Sequence, residues 1–264
     1  MLHRVECYSE NSAAGMKSRL DKLLVDRGLV PSRERAQALI LGGKVLVNEQ
    51  KIEKAGAPVD ADAAIRFLGG DLRYVSRGGL KLEKALEQWG IDVAGRICVD
   101  VGASTGGFTD CLLQHGALRV VAIDTGYGQL DAKLRQDSRV RLLEKTNARY
   151  LTRQHVGESA EVIVVDVSFI SATLVVPPVI QAVFPEEPAL RSGRKIVVLV
   201  KPQFEGAREQ VGKGGIVRDE SVQAAAVEKV RTCLLQTGAA AVEGIESPIR
   251  GAEGNREFLL YAAF

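Results

Sequence analysis

The apolar run Ile97-Cys98-Val99-Asp100-Val101 breaks directly into a glycine-rich turn, Gly102-Ala103-Ser104-Thr105-Gly106-Gly107, and Phe108 then opens a helical pattern. A short apolar run bounded by turn residues reads as a buried strand. A strand that enters a helix through such a turn is the first half of a β-α-β unit. The alternation continues downstream, with strands expected at Ile97–Val101, 120–124, 140–144, 162–167 and Lys195–Val200. A helix expected at 221–236 is followed by two further strands, 240–245 and 257–262, read as a pair. Seven strands alternating with helices predict an α/β fold, a doubly wound Rossmann-like sheet covered on both faces.

Ahead of this region lies a smaller unit. Leu20, Leu23 and Leu24 share one helical face in a pattern starting at Ser18, and Gly28 stops it. Pro31-Ser32 opens a second helix carrying Ala36, Leu39 and Ile40, which Gly42-Gly43 ends. Residues 44–52 read as two extended pieces around Asn48-Glu49-Gln50, with a last strand near 64–67. Gly69-Gly70-Asp71 closes the unit. The expected organisation is a loose tail at 1–16, a small α+β domain at 17–71, a linker at 72–76 and the α/β domain at 77–264.

The four cysteines, Cys7, Cys98, Cys111 and Cys233, form no CxxC pair, and His3, His115 and His155 have no metal-ligand spacing to them. A reduced protein without a metal is expected, with Cys98 an inert thiol in its apolar run. Residues 1–16 lack the apolar core of a signal peptide. No run approaches the roughly 20 apolar residues of a membrane-spanning helix, so a cytoplasmic protein is expected. With a net charge of only +2, any affinity for nucleic acid must come from uneven placement of charge.

That placement is uneven in the first unit. Arg19, Lys22, Arg33, Arg35 and Lys44 are candidates for phosphate contact, although a merely solvated helical surface would carry the same charges. Arg-Leu-Asp-Lys-Leu-Leu at 19–24, Ser-Arg-Glu-Arg-Ala at 32–36 and Gly-Lys-Val-Leu-Val-Asn at 43–48 together resemble the S4-type RNA-binding domain. The resemblance implies recognition of structured RNA by shape and phosphate.

In the second unit the turn departs from the G-x-G-x-x-G of dinucleotide enzymes: its glycines are spaced Gly-x-x-x-Gly-Gly, with Asp100 two residues before the first. An acid beside the turn suits the sulfonium and amine of S-adenosylmethionine better than a pyrophosphate. Asp124, about twenty residues on at a strand end, is placed for the two hydroxyls of an adenosine ribose. The candidate donor site is Asp100, Gly102, Ala103, Ser104, Gly106, Gly107, Phe108 and Asp124. A nicotinamide or flavin site, or a purely structural turn, stays open on these residues alone.

Asp166 and Lys201 each follow an apolar strand, where doubly wound sheets deliver chemistry. A solvated strand end is the plain alternative. At this point the second unit resembles the FtsJ-like ribose methyltransferases, and the full chain the TlyA-like rRNA methyltransferases, in which that domain follows an S4-type domain. The motifs are residues 76–82 (Ser-Arg-Gly-Gly-Leu-Lys-Leu), 100–108, 166–170 (Asp-Val-Ser-Phe-Ile), 199–205, 212–218 and 254–257 (Gly-Asn-Arg-Glu). The resemblance implies a catalytic Lys-Asp-Lys-Glu set at Lys81, Asp166, Lys201 and Glu257, with S-adenosylmethionine as cofactor and ribosomal RNA or its subunits as partner. It further implies 2′-O-methylation of cytidine. Lys201 would accept or steer the hydroxyl proton, Asp166 would orient Lys201, and Lys81 with Glu257 would tune and position the pair. The loop at 206–219, with Arg208, Lys213 and Arg218, reads as a lid, an RNA-contacting flap or a plain loop. Two other readings remain open: a membrane-acting protein, since some relatives carry a haemolysin label, and a non-catalytic RNA-binding or ribosome-assembly protein.

Overall fold

The structure, a computed structural model, describes residues 17–27, 29–30, 32–68, 73–212, 214–251 and 254–264. The expected tail at 1–16, the stop at Gly28, Pro31, the closing Gly69-Gly70-Asp71 and Lys213 lie outside the described residues. The chain divides into two units, Met1–Leu72 and Arg73–Phe264.

In the first unit β1 (Lys17–Arg19) leads into α1 (Leu20–Asp26) and α2 (Arg33–Leu41), followed by the short strands β2 (Val45–Val47), β3 (Gln50–Lys51), β4 (Pro58–Asp60) and β5 (Ile65–Phe67). The helical pattern expected from Ser18 begins two residues later, because residues 17–19 are drawn into antiparallel pairing with β4, Lys17 opposite Asp60. A three-residue strand carries too little periodicity to announce itself, and tertiary pairing overrides local preference. Strands β3, β2 and β5 make a second small sheet in that order. Asn48 and Glu49 both take positive φ, 49° and 64°, the left-handed pair that a two-residue hairpin requires. Ser32 caps α2, its hydroxyl accepting from the Arg35 amide at 3.3 Å. Leu20, Leu23, Leu24, Ala36, Ile40, Val45 and Val47 form the core.

A carboxylate organises the basic face of this unit. Asp21 is fully buried and accepts from Arg19 Nε at 3.1 Å, Arg33 Nη2 at 3.0 Å and Gln37 Nε2 at 3.0 Å. The Arg19 guanidinium, first among these partners, holds the Asp21 carboxyl well below its ordinary range against the opposing cost of burial.

The second unit begins with packed chain. Residues 73–76 were expected within a linker at 72–76, but Tyr74 is buried with its hydroxyl 2.9 Å from Glu83 Oε1, and the Val75 amide donates to Asp110 Oδ2 at 2.8 Å. In chain order come α3 (Gly78–Gln88), β6 (Ile97–Val101), α4 (Gly107–Gln114), β7 (Arg119–Ile123), α5 (Ala132–Arg135), β8 (Val140–Leu143), α6 (Arg153–Val156) and β9 (Val162–Val165). Then follow α7 (Val176–Val183), β10 (Lys195–Val200), α8 (Pro202–Glu205), α9 (Glu220–Gln236), β11 (Ala241–Glu246) and β12 (Phe258–Ala263). Among the described residues seven strands form one sheet, ordered β11-β12-β10-β9-β6-β7-β8, with β12 antiparallel to both its neighbours and every other pairing parallel. This is the doubly wound α/β sheet expected, with strand ends displaced by one or two residues at most.

Strands covered on both faces read as continuous apolar runs, which is why β9 and β10 were legible. Alternate side chains serve opposite cores. Val99, Val101, Ile163, Val165, Val198 and Val200 pack against α7 and α9 on one face. Cys98, Val120, Val162, Val164, Val197 and Leu199 pack against α3 and α4 on the other. The strand order reverses between β6 and β9, the switch point where ligands of such sheets bind beyond the carboxyl ends of the strands.

Asp21→Ala should loosen the first unit by about 1–3 kcal/mol, the cost of stranding hydrogen-bonded partners of a buried charge. Amide exchange over Leu20–Asp26 and Arg33–Leu41 should accelerate by the corresponding factor. Unchanged protection there would mean that Asp21 does not hold the two helices together.

Candidate active site

The cleft at the switch point has a volume of ≈ 490 Å³. Its floor is the turn between β6 and α4, whose shape follows from where its glycines sit. Gly102 has φ +87° and lies under the next strand's exit: a Cβ there would stand 2.2 Å from the Asp166 carbonyl oxygen. Gly106, φ +97°, begins α4, and a Cβ would strike Leu134 at 2.3 Å. The glycines thus admit neighbouring protein rather than open a gap for ligand. Gly102, Ala103, Ser104, Gly107 and Phe108 line the cleft, whereas Gly106 does not.

Of the two acids expected at the donor site, Asp124 holds the turn and Asp100 is tied to the helix that follows it. Asp124 Oδ2 accepts from the Ser104 amide at 2.8 Å and Oδ1 from the Gly126 amide at 2.6 Å. Neither Asp124 nor Asp100 lines the cleft. Asp100, expected to face the ligand, is fully buried on the α4 side of the sheet, where Thr109 Oγ1 donates to its Oδ2 at 2.6 Å. It points there because it alternates with Val99 and Val101, which serve the opposite core. Among the described residues its Oδ1 has no hydrogen-bond partner. Burial pushes the Asp100 carboxyl up to about 7, with the nearby Asp166 and Asp124 charges adding to the effect and the Thr109 hydrogen bond opposing it.

Asp166 and Lys201, picked out at strand ends, and Lys81 and Glu257, assigned to the site by resemblance alone, all line this cleft. They arrive as two ion pairs. Asp166 follows β9 and Lys201 follows β10, adjacent parallel strands, and Lys201 Nζ stands 2.6 Å from Asp166 Oδ1. Lys201 Nζ also donates to Ser168 Oγ at 2.7 Å. Lys81, on α3, is nearly buried with its Nζ 2.5 Å from Glu257 Oε2, one residue before β12. Lys81 is therefore a compensated cation and not a bare charge facing Lys201.

Phe169 is a feature to which the sequence alone assigned no role. Its side chain is 91% exposed, on backbone at φ +63°, and its ring centroid lies 5.2 Å from that of Phe204. A bulky non-glycine residue at positive φ is strained, and outside tight turns such residues cluster at functional sites. Both rings line the cleft. Glu205 anchors this loop, accepting from the Ala172 amide at 2.6 Å and from the Ser171 hydroxyl. The available signal was a phenylalanine three residues past a strand-end aspartate, but exposure of an apolar residue cannot be read from its neighbours.

In the first unit, Arg19 and Arg33 are committed to Asp21, although each side chain remains about half exposed. Lys22 and Lys44 are exposed and Arg35 is partly so.

The Asp100 carboxyl has a sign-definite consequence. Its pKa rises from an ordinary ~3.9 to about 7 on folding, so the native state binds the extra proton between those values. Stability from this group is greatest below pH ~4 and falls as pH rises to about 7, by on the order of 4 kcal/mol. Asp100→Asn should remove that component: its unfolding free energy relative to wild type should climb between pH 4 and 7. A constant difference across that range would show that Asp100 titrates as an ordinary carboxylate.

Comparison with known proteins accords with this architecture. The family model for the FtsJ-like methyltransferase matches residues 74–264, and that for the S4 domain matches residues 18–65. The chain is 46% identical to YqxC of Bacillus subtilis, named as a presumed rRNA methyltransferase, over 93% of this chain and 85% of that one. It is 44% identical to the 16S/23S rRNA (cytidine-2′-O)-methyltransferase TlyA of Mycobacterium tuberculosis, over 93% of this chain and 89% of that one. Among solved structures, a presumed hemolysin from Streptococcus thermophilus superposes with a TM-score of 0.71 at 41% identity, covering 94% of this chain and 88% of that one. The protein belongs to the TlyA-like family, in which an S4 domain precedes an FtsJ-like methyltransferase domain.

Proposed function

We propose that the protein methylates the 2′-hydroxyl of a cytidine in ribosomal RNA. The carrying observation is the pair of ion pairs, Lys201–Asp166 and Lys81–Glu257, on one cleft at the sheet's switch point. The methyl donor of an FtsJ-like methyltransferase is S-adenosylmethionine. The residues fit it. A cleft of ≈ 490 Å³ suits a ligand of that size, and beneath the turn lies the Asp100 carboxyl, one oxygen of which has no hydrogen-bond partner among the described residues and whose ionised form a cationic ligand would favour. Gly102, Ala103, Ser104, Gly107 and Phe108 would form its wall, Gly106 would shape the turn, and Asp124 would take the adenosine ribose from the turn it already braces. When bound, the donor supplies an electrophilic methyl group on a sulfonium.

A ribose hydroxyl is a weak nucleophile until its proton has a destination, so the chain must supply position and a proton acceptor. Lys201 is the acceptor. In its ion pair with Asp166 at 2.6 Å it is an ammonium, so it first releases a proton to solvent; its amine then takes the hydroxyl proton, and the ammonium re-formed is held by Asp166 and by Ser168 at 2.7 Å. Lys81 and Glu257 position the acceptor ribose from the opposite wall, their charges cancelling so that they orient without repelling Lys201. Phe169, exposed beside Ser168 and backed by Phe204, offers a face on which an unstacked base can lie, the usual mode for reading single-stranded RNA.

The S4 domain brings the RNA. Lys22, Arg35 and Lys44, with the exposed parts of Arg19 and Arg33, would meet phosphates, and a charged phosphate contact needs no particular base. The choice of cytidine and of ribosomal RNA follows the named activity of the M. tuberculosis relative, and such a substrate places the work in the cytoplasm. A membrane-acting role finds no support in the described residues, none of whose helices is long and apolar enough to cross a membrane.

Labelled S-adenosylmethionine incubated with naked rRNA, isolated subunits or whole ribosomes should place label in RNA. After alkaline hydrolysis it should remain in uncleaved linkages, because a 2′-O-methyl group blocks strand scission, and digestion should yield methylated cytidine. Label released on ordinary mononucleotides would make the enzyme a base methyltransferase. Absence of transfer to all three substrates would favour the non-catalytic assembly role.

A further inference from the structure

A second cavity, ≈ 630 Å³, lies in the methyltransferase unit and is lined by Ile216, Arg218, Gln223, Arg250, Gly254 and Arg256, with Glu220 and Glu246 also on its wall. Nothing in the reaction described above uses it. Its three arginines are not equivalent. Arg256 is neutralised: Nη2 lies 2.8 Å and Nε 3.0 Å from the two oxygens of Glu246, while Nη1 lies 3.0 Å from Glu220. Both wall carboxylates are thereby committed. Among the described residues Arg250 donates only to the Gly254 carbonyl, at 3.2 Å, and Arg218 makes no ion pair. Two exposed guanidinium groups therefore face a recess whose acids are already paired. Planar guanidinium forks favour phosphate oxygens.

The cavity is separated from the catalytic cleft by little chain. Gly215 lines the cleft and Ile216 the second cavity. Arg256 and Glu257 divide in the same way, the arginine to the second cavity and the glutamate to Lys81. Buried Asn255 makes this partition rigid, accepting from the Val217 amide at 2.9 Å and donating to the Gly215 carbonyl at 2.8 Å. A ligand that occupies both sides of such a wall needs a reactive ribose at one point and an anionic group nearby along the same molecule. A phosphodiester strand has both.

We propose that Arg218 and Arg250 form a subsite for a backbone phosphate of the RNA strand, flanking the nucleotide that is methylated. This rests on the reading of the cleft as an RNA methyltransferase site. The subsite sets RNA affinity and register and leaves the donor site alone.

The test uses the full chain carrying Arg218→Gln and Arg250→Gln together. RNA binding measured over a series of salt concentrations should show a slope of log affinity against log salt shallower by about 0.7–0.9 for each phosphate charge lost. The KM for RNA should rise about tenfold or more, as expected for loss of hydrogen bonds to a charged group, with kcat and donor affinity unchanged. The pair Arg218→Lys with Arg250→Lys should keep the wild-type slope while weakening affinity, because charge remains and the fork is lost. An unaltered slope and KM in the glutamine variant overturns the proposal. So does a variant that loses only competition by inorganic phosphate while binding RNA normally, which would make the cavity a free-anion site. Wild-type protein that binds RNA with the steeper slope yet transfers no methyl group would support the subsite and sink the methyltransferase reading instead.

Discussion

The site depends on a close approach between two adjacent parallel strands. Val101 of β6 lies opposite Val165 of β9, and immediately beyond them the chain turns at Gly102 directly beneath the Asp166 carbonyl. A side chain at Gly102 would need both a left-handed backbone, about 1–2 kcal/mol for an L-residue, and space already filled at 2.2 Å by backbone that cannot rotate away. The turn can be pressed against the strand end only because Gly102 lacks a Cβ. That contact brings the floor of the cleft and the Asp166 carboxylate into one place.

Charge then organises the cleft from two levels. At its surface each of the two lysines is matched to one carboxylate, so that the four charges nearly cancel. Beneath it Asp100 is an acid in apolar surroundings with one oxygen unsatisfied. Burying such a group in charged form is costly, which is why it keeps its proton up to about pH 7. The same division recurs in the first unit, where buried Asp21 consumes part of the charge of Arg19 and Arg33, and what remains exposed is available to RNA.

How much was legible in the sequence varied with the physical source of the signal. Strand β9, and β10 beyond its first residue Lys195, are buried on both faces and therefore apolar, which makes them readable from composition alone. Strands β1 and β4 are three residues long and exist because they pair with each other across about forty residues of chain, which no local pattern reports. The glycine spacing located the cleft, but the placement of Asp100 was misjudged, because strand alternation directs it away from the cleft while proximity to the turn suggested the opposite. Lys81 and Glu257 lie 176 positions apart and meet only in the fold, so no local pattern joins them and only the family resemblance put them in one site. Phe169 lay within a motif already noticed. What gives it interest is exposure on strained backbone, a property of three dimensions.

The most direct measurement is single-turnover methyl transfer by Lys201→Ala, made alongside its affinity for S-adenosylmethionine. With Lys201 as proton acceptor, the rate should fall by about 10²-fold or more, while donor affinity stays near that of the wild type because the turn between β6 and α4 is untouched. Transfer at the wild-type rate would contradict the account, since the ion pair at the ends of β9 and β10 would then have no part in the chemistry.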